Sequence, residues 1–298
     1  MTKYLFAALS LKIFSFNNLS KKMYRKIGNT FGAEKRKKGN IESYIERGNL
    51  LLSLCEKYHA VRENDKLLEI GTGWIHWYSL FVRLFNNVNI TMMDVWDNRQ
   101  LEALKATFSK FKELSEEAVA SPKCLHDIDF IAKVANFEKL YDKLNLNYVI
   151  DSKGSLSQFP NNSFDFIFSF HVLEHVPKEY INDTANNIYR ILKPGGISIH
   201  QIGIDDHLSH YDKKESSMNY LRYSDTTWKI LFQNDVQYFN RLLMSDWLDI
   251  FGQEGFVLME KIPEFTNIDP LKINSKYKRY TKEDLSCINL TIVHKKPK

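Results

Sequence analysis

The sequence lacks any cysteine pairing pattern: Cys55, Cys124 and Cys287 are widely spaced and no Cys-x-x-Cys occurs. That argues against a disulfide framework and a structural zinc, and it fits a reducing, cytoplasmic compartment with all three thiols as packing residues. A membrane-spanning run is also missing. The apolar stretch from Tyr4 to Phe16 is too short for a bilayer and is interrupted by Lys12. No clean small-residue cleavage site stands before Asn17-Asn18, so the stretch makes a poor signal peptide. An amphipathic helix is the better expectation, docked on the protein in preference to lying on a membrane surface. Internal repeats are absent, and so is a strong charge of one sign. The net charge of +5 is mild and local: Glu34 to Lys38, Lys213-Lys214 and the Lys295-to-Lys298 tail. These runs read as solvated surface. Without a basic stripe and a reading motif, no nucleic-acid partner is expected.

What is present is ordinary for a globular protein: 298 residues, 44% hydrophobic and 26% charged, enough for one large α/β domain with appendages or for two small ones. The first sixty or so residues read as helical, with Tyr44, Ile45, Leu50, Leu51 and Leu54 near one face. A buried strand is expected at Lys66 to Ile70, a helix at Trp74 to Phe85 and a second strand at Asn89 to Val95, which together make a βαβ unit. Asp97 with Gln100 three residues on has capping-box spacing and predicts the start of a helix. Further helices are expected between Leu104 and Leu144, where the gap before the next strand, near Asn147 to Ile150, is too long for a plain loop. Strands at Phe164 to Phe170 and Gly196 to Ile202 then enclose a helix at Tyr180 to Leu192. A late helix at Trp247 to Gln253 precedes a closing antiparallel pair, Phe256 to Ile262 with Ile288 to Val293. Such alternation predicts a doubly wound sheet.

The chemistry concentrates at strand ends. Glu69-Ile70-Gly71-Thr72-Gly73 closes the first strand, where glycines let a ligand approach the backbone at a helix start. The second strand ends on Asp94, placed to accept both hydroxyls of an adenosine ribose. To this point a nicotinamide dinucleotide fits equally well. The third small residue of that fingerprint, however, falls on His76, after Trp74 and Ile75, and such bulk suits a ligand without pyrophosphate. Downstream come Asn162-Ser163-Phe164-Asp165, then Val172-Leu173-Glu174-His175, then Leu192-Lys193-Pro194-Gly195-Gly196.

With these five signals in order, over about residues 60 to 205, the chain resembles the class I S-adenosylmethionine-dependent methyltransferases, the type 11-like group in particular. The resemblance implies an α/β fold with a doubly wound, mostly parallel seven-stranded Rossmann-like sheet. It divides the chain into an N-terminal helical extension, 1–60, and a methyltransferase domain, 61–298. That domain would carry a helical insertion at about 104–144 and an acceptor-side lid at about 205–245. It implies S-adenosylmethionine as cofactor, with Glu69, Gly71, Thr72 and Gly73 around its methionine part and Asp94 on the ribose. Val95 would lie against the adenine, Asp151 and Ser152 at the adenine amino group, and Phe170 and His171 beneath the sulfonium. The Lys193-to-Gly196 turn would be structural. Two departures stand out: the insertion before Asn147, and an Asp151-to-Asp165 stretch that can shift the adenine contact to Ser152 or Lys153.

The acceptor side is read from position. After the fifth strand comes Gly203-Ile204-Asp205-Asp206-His207-Leu208-Ser209-His210-Tyr211-Asp212. Histidines and aspartates at that place can take a proton from an acceptor, so His207 and His210 are the catalytic candidates. A metal bound by the His-x-x-His spacing is the less favoured alternative, and no metal is expected. His175 reads as a cap or packing residue before it reads as a base. Cys124 beside His126 has no further ligands in phase. Aromatic residues from Tyr220 to Trp247 read mainly as lid core, and the acceptor is expected to be a small molecule or saccharide, methylated on oxygen or nitrogen. A catalytically silent methyltransferase-like module and, more remotely, a nicotinamide-dependent oxidoreductase are the competing readings.

Overall fold

Residues 2–37, 39–59, 61–117 and 122–298 are described by the computed structural model. Helices α1 (Lys3–Phe14), α2 (Asn18–Lys37) and α3 (Ile41–His59) precede strand β1 (Lys66–Ile70), which is buried from Leu67 onward, Glu69 included. Next come α4 (Trp77–Phe85), β2 (Asn89–Asp94), α5 (Leu101–Glu117), α6 (Pro122–Lys133), α7 (Phe137–Leu144) and β3 (Leu146–Ile150). β4 (Phe164–Phe170), α8 (Ile181–Ile191) and β5 (Leu192–Gly203) follow. The chain ends with α9 (Asp225–Leu231), α10 (Met244–Gln253), β6 (Val257–Phe265), α11 (Lys282–Ser286) and β7 (Cys287–Lys295).

The seven strands lie in the order β3-β2-β1-β4-β5-β7-β6. β1 runs parallel to β2, Lys66 opposite Asn89, and parallel to β4, Leu67 opposite Phe166; β2 runs parallel to β3, Ile90 opposite Leu146. Winding therefore reverses between β1 and β4, the switch point at which ligands bind outside the carboxyl ends of an open sheet. β7 is antiparallel to β5: Gly195 donates to the Lys296 carbonyl and Ile204 to the Ile288 carbonyl. At the sheet edge, Thr266 after β6 donates to Ser286 before β7, so these two also run antiparallel.

Several boundaries differ from the sequence reading, each for a local reason. Helix α4 starts at Trp77, not Trp74, because the glycine turn runs on to His76, whose φ of 50° is left-handed. The Asp97–Gln100 capping box does not form. Asp97 instead binds the Arg99 guanidinium at 2.7 and 2.9 Å, and α5 begins at Leu101. Lys193 to Gly196 is not a turn ahead of the strand but part of β5. Gly195 adopts φ 81° there, and a Cβ on Gly196 would stand 2.9 Å from the Asp165 and Lys193 carbonyl oxygens.

Two compact units are present. One comprises Gly28–Ser169, Asn186–Ile199 and Val293–Lys298; the other comprises Met1–Ile27, Phe170–Ala185 and His200–Ile292. The first is built on α4, which buries seven of its nine residues. Trp77 packs on Phe108 and Phe111, each with ring centroids 5.2 Å away, and its indole donates to the Tyr44 carbonyl at 2.7 Å. In the second unit α1 buries Tyr4, Ala7, Ala8 and Leu11, and Tyr4 donates its hydroxyl to Asp206 at 2.6 Å. The expected amphipathic helix is thus docked on protein along one face. No helix among the described residues is long and apolar enough to cross a membrane. Cys55, Cys124 and Cys287 are buried.

Candidate active site

The first unit carries the glycine turn. Gly71 and Gly73 both adopt left-handed φ, 73° and 67°, which favours glycine at each. The Gly71 and Thr72 amides donate to the Met93 carbonyl at 2.7 and 3.2 Å, tying the turn to the end of β2. Glu69, fully inside the fold, accepts from Thr72 Oγ1 at 2.8 Å and Ser79 Oγ at 2.5 Å. Burial pushes its carboxyl up to about 7 in spite of those bonds. Asp94 is also buried, and burial raises its pKa. Its Oδ2 accepts from the Gly73 amide at 3.1 Å and its Oδ1 from the Val95 amide at 2.8 Å, so the carboxylate is fixed in place.

His76 is buried, with Nδ1 3.0 Å from Thr72 Oγ1 and Nε2 2.9 Å from the Tyr141 hydroxyl. Phe137, Tyr141 and Tyr148 surround it, and burial, with the Arg99 charge adding, holds it down to about 3. The position a dinucleotide fold keeps small is filled by a packed neutral imidazole. Just past β2, Val95 is half-buried, and a Cβ on Gly154 would lie 3.3 Å from its Cγ1. Asp151 turns inward on its own loop: Oδ1 accepts from the Lys153 amide at 3.0 Å, and Oδ2 accepts from the Ser155 and Leu156 amides at 2.8 and 3.2 Å. Burial would raise its pKa, yet these amides outweigh it and hold the carboxyl low. Ser152 is exposed beside it.

Whether an adenosine fits can be asked of the polar atoms left over. Asn98 contributes a side-chain hydrogen bond to Asp94, leaving its own Oδ1 buried without a partner, and the Tyr148 hydroxyl is likewise buried and unpartnered. A Cβ added at Gly73 would meet nothing within 4 Å. Open space over the turn, a fixed carboxylate and two unsatisfied polar atoms near it match a ribose and its base. Neither Asn98 nor Tyr148 was singled out by sequence reasoning. Tyr148 carried a usable signal, a polar tip three residues before the strand-ending Asp151.

The second unit carries the histidines. Phe170 is buried, and His171, with φ 54°, donates its amide to the Gln201 carbonyl at 2.9 Å. Beyond β5, Asp206 caps the 3₁₀ turn His207–Tyr211 by accepting from the Leu208 amide. His210 Nε2 stands 2.5 Å from Asp205 Oδ2, and that bond raises the His210 pKa. Burial would raise Asp205, but the His210 hydrogen bond and the surrounding imidazoles hold it low. His207 packs on Phe239, His175 and His210, with ring centroids at 4.6, 5.1 and 5.8 Å; burial foremost, then His175, holds it down to about 4. The structure thus brings His207 and His210 together with Asp205, and adds His175, which the sequence reading left as a cap or packing residue, with Glu174 beside it.

The methyltransferase-domain family model matches residues 115–200, a segment that contains the strand-four and strand-five motifs. No curated protein matches the chain. Among solved structures it is similar to phosphoethanolamine N-methyltransferase 2 of Haemonchus contortus bound to S-adenosylmethionine, with 15% identity and a TM-score of 0.48. That alignment covers 84% of this chain and 53% of the other, so the chain spans about half that enzyme's length. It is also similar to a methyltransferase of Methanosarcina mazei, with 17% identity, a TM-score of 0.48 and coverage of 82% and 97%. These likenesses say nothing of the acceptor. Residues 115–200 thus match a methyltransferase domain, and the sheet that carries the glycine turn and Asp94 is doubly wound.

Proposed function

We propose that this chain methylates a hydroxyl or amine of a small-molecule or saccharide acceptor, and that the Asp205–His210 pair, with His207 beside it, takes the acceptor's proton. S-adenosylmethionine supplies a methyl already activated on a sulfonium, so alignment and proton removal are what remain for the protein. Asp94, pinned by the Gly73 and Val95 amides, would hold the ribose hydroxyls, with Glu69, Gly71, Thr72 and Gly73 around the methionine part. Val95 would lie on the adenine, and Phe170 and His171 would line the methyl end. Asp151, committed to its own loop, would keep one Oδ1 lone pair for the adenine amino group, with Ser152 next to it. The observation that carries the reading is the 2.5 Å bond between His210 and Asp205 just beyond the carboxyl end of β5, where an aspartate orients an imidazole. Calorimetry should show binding of S-adenosylmethionine and none of NAD. In single-turnover transfer to an acceptor found by mass spectrometry, His210→Ala should slow chemistry by ~10²–10⁴-fold with cofactor affinity intact. Wild-type rates in both His210→Ala and His207→Ala would remove the pair from the mechanism.

We infer further that the N-terminal helices rest on an anionic lipid surface while the enzyme works in the cytoplasm. On α2, Leu19, Met23, Ile27 and Phe31 recur every four residues, all exposed, and the helix carries seven basic residues against one acidic. On α1, Phe6 and Ile13 are exposed while Tyr4, Ala7, Ala8 and Leu11 are buried. An apolar stripe flanked by lysine and arginine suits an interfacial helix on acidic lipid. The protein should sediment with phosphatidylserine-containing vesicles and stay free with phosphatidylcholine alone. Ile27→Glu should abolish sedimentation, and equal behaviour of the two lipids would rule the surface out.

A further inference from the structure

We propose that Glu174, His175 and His207 form a site for one divalent first-row transition-metal ion, which holds the acceptor oxygen. One ligand atom from each of the three lies within 4.8 Å of the other two. All three belong to the same compact unit, on the 3₁₀ turns Leu173–His175 and His207–Tyr211.

The carboxylate is the telling member. Glu174 is 2% exposed, and neither of its oxygens has a hydrogen-bond partner; the nearest imidazole, His171 Nδ1, stands 3.4 Å away. A buried carboxylate without partners is costly, and a cation is the partner that removes that cost. Position 203 is shaped around it, since a Cβ there would lie 2.9 Å from Glu174 Oε1. His175 completes the case. Its Nδ1 donates to the Tyr238 carbonyl at 2.7 Å, which fixes the tautomer and leaves Nε2 with a free lone pair. Metal-bound imidazoles are held in this way by a backbone carbonyl on the far nitrogen. His207 is clasped between Phe239 and His175, which sets its ring.

Two imidazoles and one carboxylate suit manganese, iron, cobalt or zinc, whereas calcium and magnesium favour oxygen donors. Three protein ligands leave positions open for an acceptor hydroxyl. The His-x-x-His pairing is not the ligand set, because His210 is engaged by Asp205. A second cluster, His59, Asp65 and Asp165, is already committed: Asp165 binds Lys193 and the Lys66 amide, and Asp65 accepts from the Arg62 amide. The catalytic part of the inference rests on the methyltransferase reading. The acceptor O–H gives its proton to His210, the oxygen–methyl bond forms as the methyl–sulfur bond breaks, and S-adenosylhomocysteine leaves with the electron pair on sulfur.

The test uses the full chain stripped by a chelator and titrated with Mn²⁺, Zn²⁺ and Co²⁺ by calorimetry, with the visible spectrum of the Co²⁺ form as a second readout. One saturable ion per chain is expected. Glu174→Gln and His175→Asn, checked for folding by circular dichroism, should each weaken binding by on the order of 100-fold, at the upper end of what losing even an outer-shell partner does. His207→Asn serves if either fails to fold. Cofactor titration of the metal-free protein is the separating arm: lost S-adenosylmethionine binding there counts against the methyltransferase reading and leaves the metal site untouched. No saturable binding of any of the three ions, or equal binding by the folded variants, would overturn the proposal.

Discussion

At the scale of single residues, two buried carboxylates sit a few ångströms from the glycine turn and answer to different physics. Asp94 is held by two backbone amides, so its value to a ribose is positional. Asp94→Ala should weaken S-adenosylmethionine by ~1.5–3 kcal/mol, about ten- to 150-fold, and Asp94→Asn by less because one acceptor oxygen survives. An unchanged dissociation constant in a folded alanine variant would take the ribose role away from it. Glu69 is set by burial, which lifts its pKa to about 7 in the folded chain. The unfolded chain releases that proton near 4.3, so the folded state binds more protons between those values and stability falls as pH rises through them. Above about 7 the penalty is constant. Urea unfolding at pH 5 and pH 8 should show Glu69→Gln gaining on the parent by on the order of 2 kcal/mol at the higher pH. A gap independent of pH would place the Glu69 proton elsewhere.

Elements with a strong period or a strand-end glycine were legible from the sequence, and those fixed by long-range partners were not. β1, β2 and β4 were readable because mostly apolar stretches of five to seven residues lead into a glycine turn, end on Asp94 or follow the Asn162-Ser163 turn. The start of α4 was misplaced because nothing local announces that His76 will be left-handed; its reason is the pairing with Thr72 and Tyr141, the latter 65 positions away. Asp97 looked like a cap and is an Arg99 partner, a choice between two nearby donors that spacing cannot make. Of the candidate site, the glycine turn and Asp94 were legible as strand-end motifs. The Glu174–His175–His207 grouping was not, since it needs two 3₁₀ turns 32 positions apart to meet. Helix α1 gives this scale its prediction. Tyr4→Phe removes a 2.6 Å bond to the buried Asp206 and should cost ~1.5–3 kcal/mol in chemical denaturation. A loss within error would show that apolar contact alone seats the helix.

For the molecule as a whole, the division into two units each drawn from three stretches of chain has a consequence for how the protein is made. Tyr4 and its acceptor Asp206 are separated by 202 positions. A ribosome adding about 5–20 residues per second therefore needs on the order of 10–40 s to deliver the partner after the tyrosine has left. Throughout that interval Tyr4 lacks both Asp206 and the Phe232 ring it packs on in the folded chain. A chaperone or a lipid surface that reaches α1 then competes with Asp206 for the same helix.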